Sequence, residues 1–254
     1  MVVKEGDTVY LKGKKNSFFI KAEKGKIFST HRGNINLDEI IGKPYGSTVK
    51  THIGVEFVIL KPTLFEVIMH GIKRQTQIIY PKDSAYIALR LGLTDGMKVL
   101  ESGVGSGALS IVMANAVKPT GKIYAFEKNL DYIPQAYENI KLANLEKYIE
   151  IKHQSLEEPL PENEFDAAFI DVREPWPYIG NIKKALKGGA PIGFLLPTTN
   201  QVSLLLNELK KHDFIDLDVV ELLERHYKPV PDRLRPEDRM VAHTGYLVFA
   251  RKGF

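Results

Sequence analysis

The stretch Val99-Leu-Glu-Ser-Gly-Val-Gly-Ser-Gly-Ala-Leu-Ser110 sets one carboxylate, Glu101, just ahead of three glycines at every second position. Gly103, Gly105 and Gly107 allow the backbone to turn sharply and to approach a ligand with no Cβ in between. A helical pattern follows, and the free N–H groups of a first helical turn point back at whatever the loop holds. Apolar strand, glycine loop and helix in this order describe a cofactor loop at the end of a parallel strand. A dinucleotide loop would read G-x-G-x-x-G, with an acid about 20 residues later. Gly107 stands one place early, so that fingerprint fails. An acid directly ahead of the turn suits instead a ligand with an ammonium group, such as the amino-acid end of S-adenosylmethionine. Glu127 closes the next apolar segment, Lys122-Ile-Tyr-Ala-Phe-Glu127, where a carboxylate can take both hydroxyls of a ribose. The plainer alternative is an ordinary strand-to-helix turn beside a surface glutamate.

Three further clusters carry chemistry. Asp171 ends the segment Phe165-Asp-Ala-Ala-Phe-Ile-Asp171 and opens Asp171-Val-Arg-Glu-Pro-Trp176. A carboxylate there faces the crevice at a strand end, Pro175 favours an extended approach, and Trp176 offers a flat face to a base. The alternative has Asp171 capping the next helix and Trp176 filling core. Tyr80, in Gln77-Ile-Ile-Tyr-Pro-Lys-Asp83, stands beside a proline at a helix start. It can stack on or hydrogen-bond a flipped base, or equally join two domains. His243-Thr-Gly-Tyr246 leads into the last strand, after a Pro-rich, basic stretch from His226 to Arg239 that fits phosphate binding or an oligomer contact. His243 has no further ligand at metal spacing, so no metal site is expected.

The elements that must position these residues read along the chain. Residues 1–66 form a small β domain of short segments (Thr8–Leu11, Ser17–Ile20, Gly25–Phe28, Phe57–Leu60) separated by turn residues. From residue 67, a connector leads to alternating helices and strands up to residue 254. Helices are expected at 81–91, 107–117, 131–144, 178–186 and 200–212. Strands are expected at 97–101, 122–127, 148–153, 165–171, 191–196, 216–223 and 245–250. Such alternation implies a parallel sheet with helices on both faces, and ligands then bind beyond the carboxyl ends of the strands. Glu101, Glu127, Ser155, Asp171 and Pro197 all fall at or just past strand ends. The last two strands, without a long helix between them, imply an antiparallel hairpin at one edge.

The 254 residues, 44% hydrophobic and 26% charged, have the composition of a globular protein. No apolar run is long enough to span a bilayer and the first residues lack a signal-peptide core, so no membrane association and a cytoplasmic location are expected. The absence of cysteine excludes disulfides, thiolate zinc sites and cysteine nucleophiles. The net charge of +4 is unevenly placed. Residues 1–66 hold 11 Lys and Arg against 7 Asp and Glu, and the rest holds 24 of each. A basic module on a neutral catalytic domain implies a polyanionic substrate, or else merely a lysine-rich surface.

Taken together, the chain resembles the TrmI-type tRNA (adenine-N1)-methyltransferases over essentially its whole length. The resemblance rests on Gln77–Asp83, Glu101–Leu109, Asp171 with Pro175-Trp176, Pro197-Thr-Thr-Asn-Gln201, and His243–Tyr246 with Phe249-Ala-Arg251. It implies an α/β fold: a Rossmann-like class I S-adenosylmethionine-dependent methyltransferase sheet with a small N-terminal β domain. It also implies methylation of N1 of adenine 58 in the tRNA T-loop, with position 57 as well in some archaeal members, and a homotetramer. By position, Gln77, Glu101, Gly103, Val104, Gly105, Ser106, Gly107, Leu109, Glu127, Ser155 and Asp171 would hold S-adenosylmethionine. Asp171 would be the principal catalytic residue and Tyr80 would help place the base. Arg74, Lys82, Arg173, Trp176 and His243 would contact RNA. Two positions depart from the family pattern. Ser155 stands where many relatives carry an acid, which weakens the bond to the cofactor's adenine. Arg173 stands where proline is usual, and a cation there would lower the Asp171 pKa or hold phosphate. The competing functions are a nicotinamide-dependent oxidoreductase, a non-catalytic tRNA-binding subunit, and methylation of another base or a small molecule.

Overall fold

The computed structural model describes all of Met1–Phe254. Contacts gather the chain into two units. One is Met1–Lys73 with Lys141–Asn144, and the other is Arg74–Ile140 with Leu145–Phe254.

The first unit holds β1 (Thr8–Lys12), β2 (Ser17–Lys21), β3 (Ile27–Thr30), β4 (Gly33–Asn36), β5 (Thr48–Lys50) and β6 (Glu56–Leu60). Four of them form an antiparallel sheet in the order β2-β1-β6-β5, while β3 and β4 make a separate hairpin. Alternation along β6 turns Phe57 and Ile59 inward, where they meet Val9, Leu11, Ile20, Ile35 and Val49. The segment expected as a strand from Gly25 starts two residues later. Gly25 has φ +75° and donates its N–H to Asp38 Oδ1, so it belongs to the preceding turn. The unit ends at Lys73 rather than 66 because the helical turn α1 (Leu64–Glu66) runs on through Val67–Gly71, and Gly71 packs against Phe19 of β2.

The second unit holds α2 (Pro81–Arg90), β7 (Lys98–Ser102), α3 (Ala108–Val117), β8 (Lys122–Glu127), all but the last two residues of α4 (Ile133–Leu142), β9 (Ile149–His153) and β10 (Ala167–Ile170). It continues with α5 (Ile179–Ala185), β11 (Pro191–Leu196), α6 (Thr199–Lys211), β12 (Phe214–Val220), the two-residue strands β13 (Tyr227–Lys228) and β14 (Arg235–Pro236), and β15 (Tyr246–Lys252). One sheet runs β12-β15-β11-β10-β7-β8-β9. Strands β7 to β11 are parallel, and β15 lies antiparallel between β11 and β12. The closing hairpin thus has β12 on the edge and β15 inside. Helix α3 is apolar around most of its circumference and buried along its length. Helix α6 buries only Val202, Leu205 and Leu209, at helical spacing. These meet Phe194, Ile192 and Val248 of the sheet in one core. No helix is long and apolar enough to cross a membrane.

Register positions the site. Ser102 at the end of β7 stands opposite Ile170 of β10 on one side and Phe126 of β8 on the other. One residue further, Gly103, Asp171 and Glu127 are therefore level with one another. The chain passes from β7 to β8 and β9 on one side, then crosses to β10 and β11 on the other. This is the switch point at which parallel sheets open a crevice.

Candidate active site

A cavity of about 570 Å³ opens at the carboxyl ends of β10, β7, β8 and β9, within the second unit. That volume suits a ligand of nucleoside size or larger. Of the residues expected around a cofactor, Gln77, Gly103, Val104, Gly105, Ser106, Leu109, Glu127, Ser155 and Asp171 all lie in its wall. Glu101 and Gly107 do not. The sequence reading missed Thr76, Lys128, Asn129, Tyr132, Gln154 and Tyr178. Their only signal was position, since each lies near an expected residue or just past a strand end.

The glycines act differently from expectation. Gly103 has φ +87°, and a Cβ there would lie 2.0 Å from the Asp171 carbonyl oxygen. At Gly105, with φ +52°, a Cβ would lie 2.7 Å from Thr76 Oγ1. The missing side chains make room for two neighbouring protein segments, and both glycines also line the cavity. Gly103 thereby lets the Asp171 backbone close onto β7, where the Asp171 N–H donates to the Ser102 carbonyl at 2.8 Å.

Glu127 and Asp171 face the cavity from neighbouring strands of β7. Glu127 accepts N–H bonds from Gly105 at 3.1 Å and Asn129 at 2.8 Å, one on each oxygen. A carboxylate oxygen accepts two bonds, so each keeps capacity for a ligand hydroxyl. The Asp171 pKa is pushed up to about 7, first by burial and then by the Glu127 charge. The expected lowering by Arg173 is absent, because that side chain is exposed and water screens it. Glu101 is 1% exposed and does not line the cavity, unlike Ser102 and Gly103 after it; alternation along β7 puts Glu101 and Ser102 on opposite faces. Its Oε2 has no partner, although the Ser110 hydroxyl lies alongside. Burial, then Asp171 and Glu127, push the Glu101 pKa up to about 8. No lysine or arginine offsets either shift. A positively charged group placed beside these two carboxyls would favour their ionised forms.

The remaining expected residues are placed as follows. Tyr80 lies outside the wall, and its hydroxyl accepts from Gln77 Nε2 at 3.1 Å. The Ser155 hydroxyl accepts the Glu157 N–H at 3.2 Å, within a turn after β9. Trp176 is turned away from the cavity and borders a shallow depression on α6 with Leu204 and Lys211. Tyr178, two residues on in the same tight turn, faces the cavity instead and donates to Glu157 at 3.0 Å. Lys82 is turned inward, with its ammonium on both Asp83 oxygens, the Leu222 carbonyl and Thr244 Oγ1 at 2.7–2.9 Å. Asp83 is 2% exposed, so this pair is structural and is not free for phosphate. His243 already engages Glu221 at 2.6 Å and the Pro197 carbonyl at 2.9 Å, and both contacts hold its pKa above the ordinary value. Arg74 and Arg173 are exposed.

Comparison with known proteins bears on this geometry. The family described as the tRNA methyltransferase complex GCD14 subunit matches residues 56–235, and the TrmI-like N-terminal family matches residues 2–49. The chain belongs to the TrmI family. It is 32% identical over 250 residues to the Methanocaldococcus jannaschii protein named tRNA (adenine(57)-N(1)/adenine(58)-N(1))-methyltransferase TrmI, covering 88% of this chain and 87% of that one. The Aquifex aeolicus structure described as tRNA (m1A58) methyltransferase TrmI is 44% identical, with a TM-score of 0.81 over 99% of each chain. A Thermotoga maritima structure described as a SAM-dependent O-methyltransferase is 42% identical, with a TM-score of 0.88 over 100% of this chain and 95% of that one. The fold is thus that of class I S-adenosylmethionine-dependent methyltransferases, with the TrmI-type β unit at its N-terminus. The residues present fit that cofactor. The cavity has nucleoside size, Glu127 is held with capacity for hydroxyls, and the buried Glu101 has an oxygen with no hydrogen-bond partner.

Proposed function

We propose that this TrmI-family chain transfers a methyl group from S-adenosylmethionine to N1 of adenine 58 in the T-loop of tRNA. The observation that carries the reading is the carboxylate arrangement. Asp171 and Glu127 face one cavity, Glu101 is buried outside its lining, and no cation offsets the raised pKa of Asp171 or Glu101. S-adenosylmethionine supplies, when bound, an electrophilic methyl on a sulfonium and a positively charged amino-acid end. Glu127 would hold its ribose hydroxyls, Glu101 would favour its positive charge, and the wall from Gly103 to Leu109 would enclose it.

The acceptor needs no base, because N1 of adenine carries a free lone pair. Alkylation there makes the ring cationic. Asp171 would accept a hydrogen bond from the adenine 6-amino group, orient the base and stabilise the growing charge. The target base is stacked within folded tRNA and must be flipped out to reach this depth. Gln77 and Tyr80 would receive it at the rim. The excess of four positive charges in residues 1–66, with exposed Arg74 and Arg173, supports attraction of the RNA backbone. We further take the protein to act as a homotetramer in the cytoplasm. The exposed apolar side chains of Val219, Leu223, Val230, Leu234 and Val241, on and after edge strand β12, offer area for such an assembly.

Transfer from labelled S-adenosylmethionine to unmodified tRNA, with the product nucleoside mapped by mass spectrometry, tests the reading. 1-Methyladenosine at position 58 is the expected product, and a second mark at 57 would align the chain with its Methanocaldococcus relative. The description of the Thermotoga relative favours a second reading, in which the acceptor is oxygen. A 2′-O-methyl nucleoside, or no transfer to tRNA at all, would overturn the first.

A further inference from the structure

Ser106 belongs to the glycine loop, yet its hydroxyl is engaged by a segment thirty residues earlier. It accepts the N–H of Gln75 at 3.1 Å and of Thr76 at 3.3 Å, and it lies 3.1 Å from the Thr76 hydroxyl. Two lone pairs and one proton make these three contacts the full capacity of a serine hydroxyl. The side chain is 2% exposed. From the other side, Asn139 Nδ2 of α4 donates to the Ser106 carbonyl at 2.9 Å. Gly105 completes the joint, because only a residue without Cβ leaves room for Thr76 Oγ1. The segment seated in this way contributes Thr76, Gln77, Ile78 and Ile79 to the cavity wall, and Gln77 in turn holds the Tyr80 hydroxyl.

One loop therefore has two duties. Its main chain faces the cofactor space, and its single hydroxyl seats the segment at the rim where the target base enters. We propose that Ser106 is a positioning residue that couples cofactor occupancy to recognition of the target adenine. The inference rests on the methyltransferase reading above and deepens it. A loop ordered by cofactor holds Gln77 and Tyr80 in place for the base, and by reciprocity bound RNA tightens the cofactor by the same factor. Loss of the hydroxyl leaves two backbone donors without their acceptor and frees the segment from the loop. The loop's own positive-φ glycines and the Asn139 bond remain, so the loop keeps its turn.

The test measures tRNA affinity with and without S-adenosylhomocysteine, and S-adenosylhomocysteine affinity by calorimetry, in the native protein, Ser106→Ala and Thr76→Val. In the native protein S-adenosylhomocysteine is expected to tighten tRNA by roughly fivefold or more. In Ser106→Ala that factor falls to about one and KM for tRNA rises roughly tenfold, a larger loss than that of the affinity for S-adenosylhomocysteine alone. Thr76→Val, which removes one of the three contacts, falls between and decides the matter if Ser106→Ala does not fold. A full coupling factor retained in either folded variant, or an equal loss of cofactor and tRNA affinity in Ser106→Ala, overturns the proposal. So does a native protein that methylates tRNA without coupling. A native protein that makes no 1-methyladenosine instead overturns the proposed reaction, and the two failures are told apart by the product assay.

Discussion

Glu127 and Asp171 end strands on either side of β7 at the same level of the sheet, yet their surroundings differ. Glu127 is gripped by two backbone N–H donors, Gly105 and Asn129. Asp171 is fixed through its own backbone, on Ser102, and its carboxyl is left to burial and a neighbouring charge, which push its pKa up to about 7. A carboxylate stabilised by fixed donors is a rigid acceptor for neutral hydroxyls. One that is desolvated and unpaired responds strongly to charge that appears beside it. On the function proposed above, the same residue chemistry at matching positions would be divided into binding and catalysis by local donors.

The largest expected effect breaks the catalytic half. Asp171→Ala should lower kcat on tRNA by about a thousandfold, the scale of losing a well-placed electrostatic partner, with cofactor Kd changed far less. Single-turnover transfer and calorimetry measure the two separately, and near-normal turnover would remove Asp171 from the mechanism. The binding half should break in the opposite sense. Glu127→Ala should weaken S-adenosylmethionine by roughly thirtyfold, the loss of a charged acceptor for two hydroxyls, with kcat at saturating cofactor within a few-fold of native. If kcat fell as steeply as in Asp171→Ala, the division of labour would be wrong.

The smallest effect is in pH. Asp171 near 7 and Glu101 near 8 hold protons in the free protein that a cationic ligand expels. Cofactor binding should therefore release protons and tighten as pH rises from 6 to above 8, by about tenfold if one proton leaves. Glu101→Gln should flatten the upper part of that curve. The linkage to folding runs the other way. Both carboxyls titrate higher folded than unfolded, so their stabilising protonation is complete below the unfolded pKa and is lost as pH climbs through about 7 to 8. Thermal unfolding at pH 5.5 and 8.5, with and without cofactor, checks both signs together.

Much of this site was legible along the chain because strand ends and glycine loops are local features. The strand ending in Glu127 keeps its expected bounds, and the helix after Gly107 begins within a residue of expectation. Asp171 and Glu127 were recognisable as strand-end acids, and a parallel sheet with a switch point brings such ends together whatever lies between. What was less legible is side-chain direction. Glu101 was expected at the ligand, and the structure buries it outside the cavity lining. Trp176 and Tyr178 sit in one tight turn, and the turn aims the smaller ring at the cavity. Lys82 looked free for phosphate, but Thr244 just before β15 and the Leu222 carbonyl just after β12 surround it. Each outcome depends on a partner far away in sequence.

The sequence by itself determined the alternation of strands and helices, the glycine loop, the rank of strand-end acids and the basic bias of the first 66 residues. Periodicity, turn chemistry and charge are properties of neighbouring residues and survive without a fold. Only the tertiary structure decided which glycine admits which neighbour, which carboxyl is gripped and which is left exposed to the field, and which hydroxyl joins the loop to the rim. Those depend on desolvation and on hydrogen bonds between segments tens of residues apart. Neither exists until the sheet has closed around them.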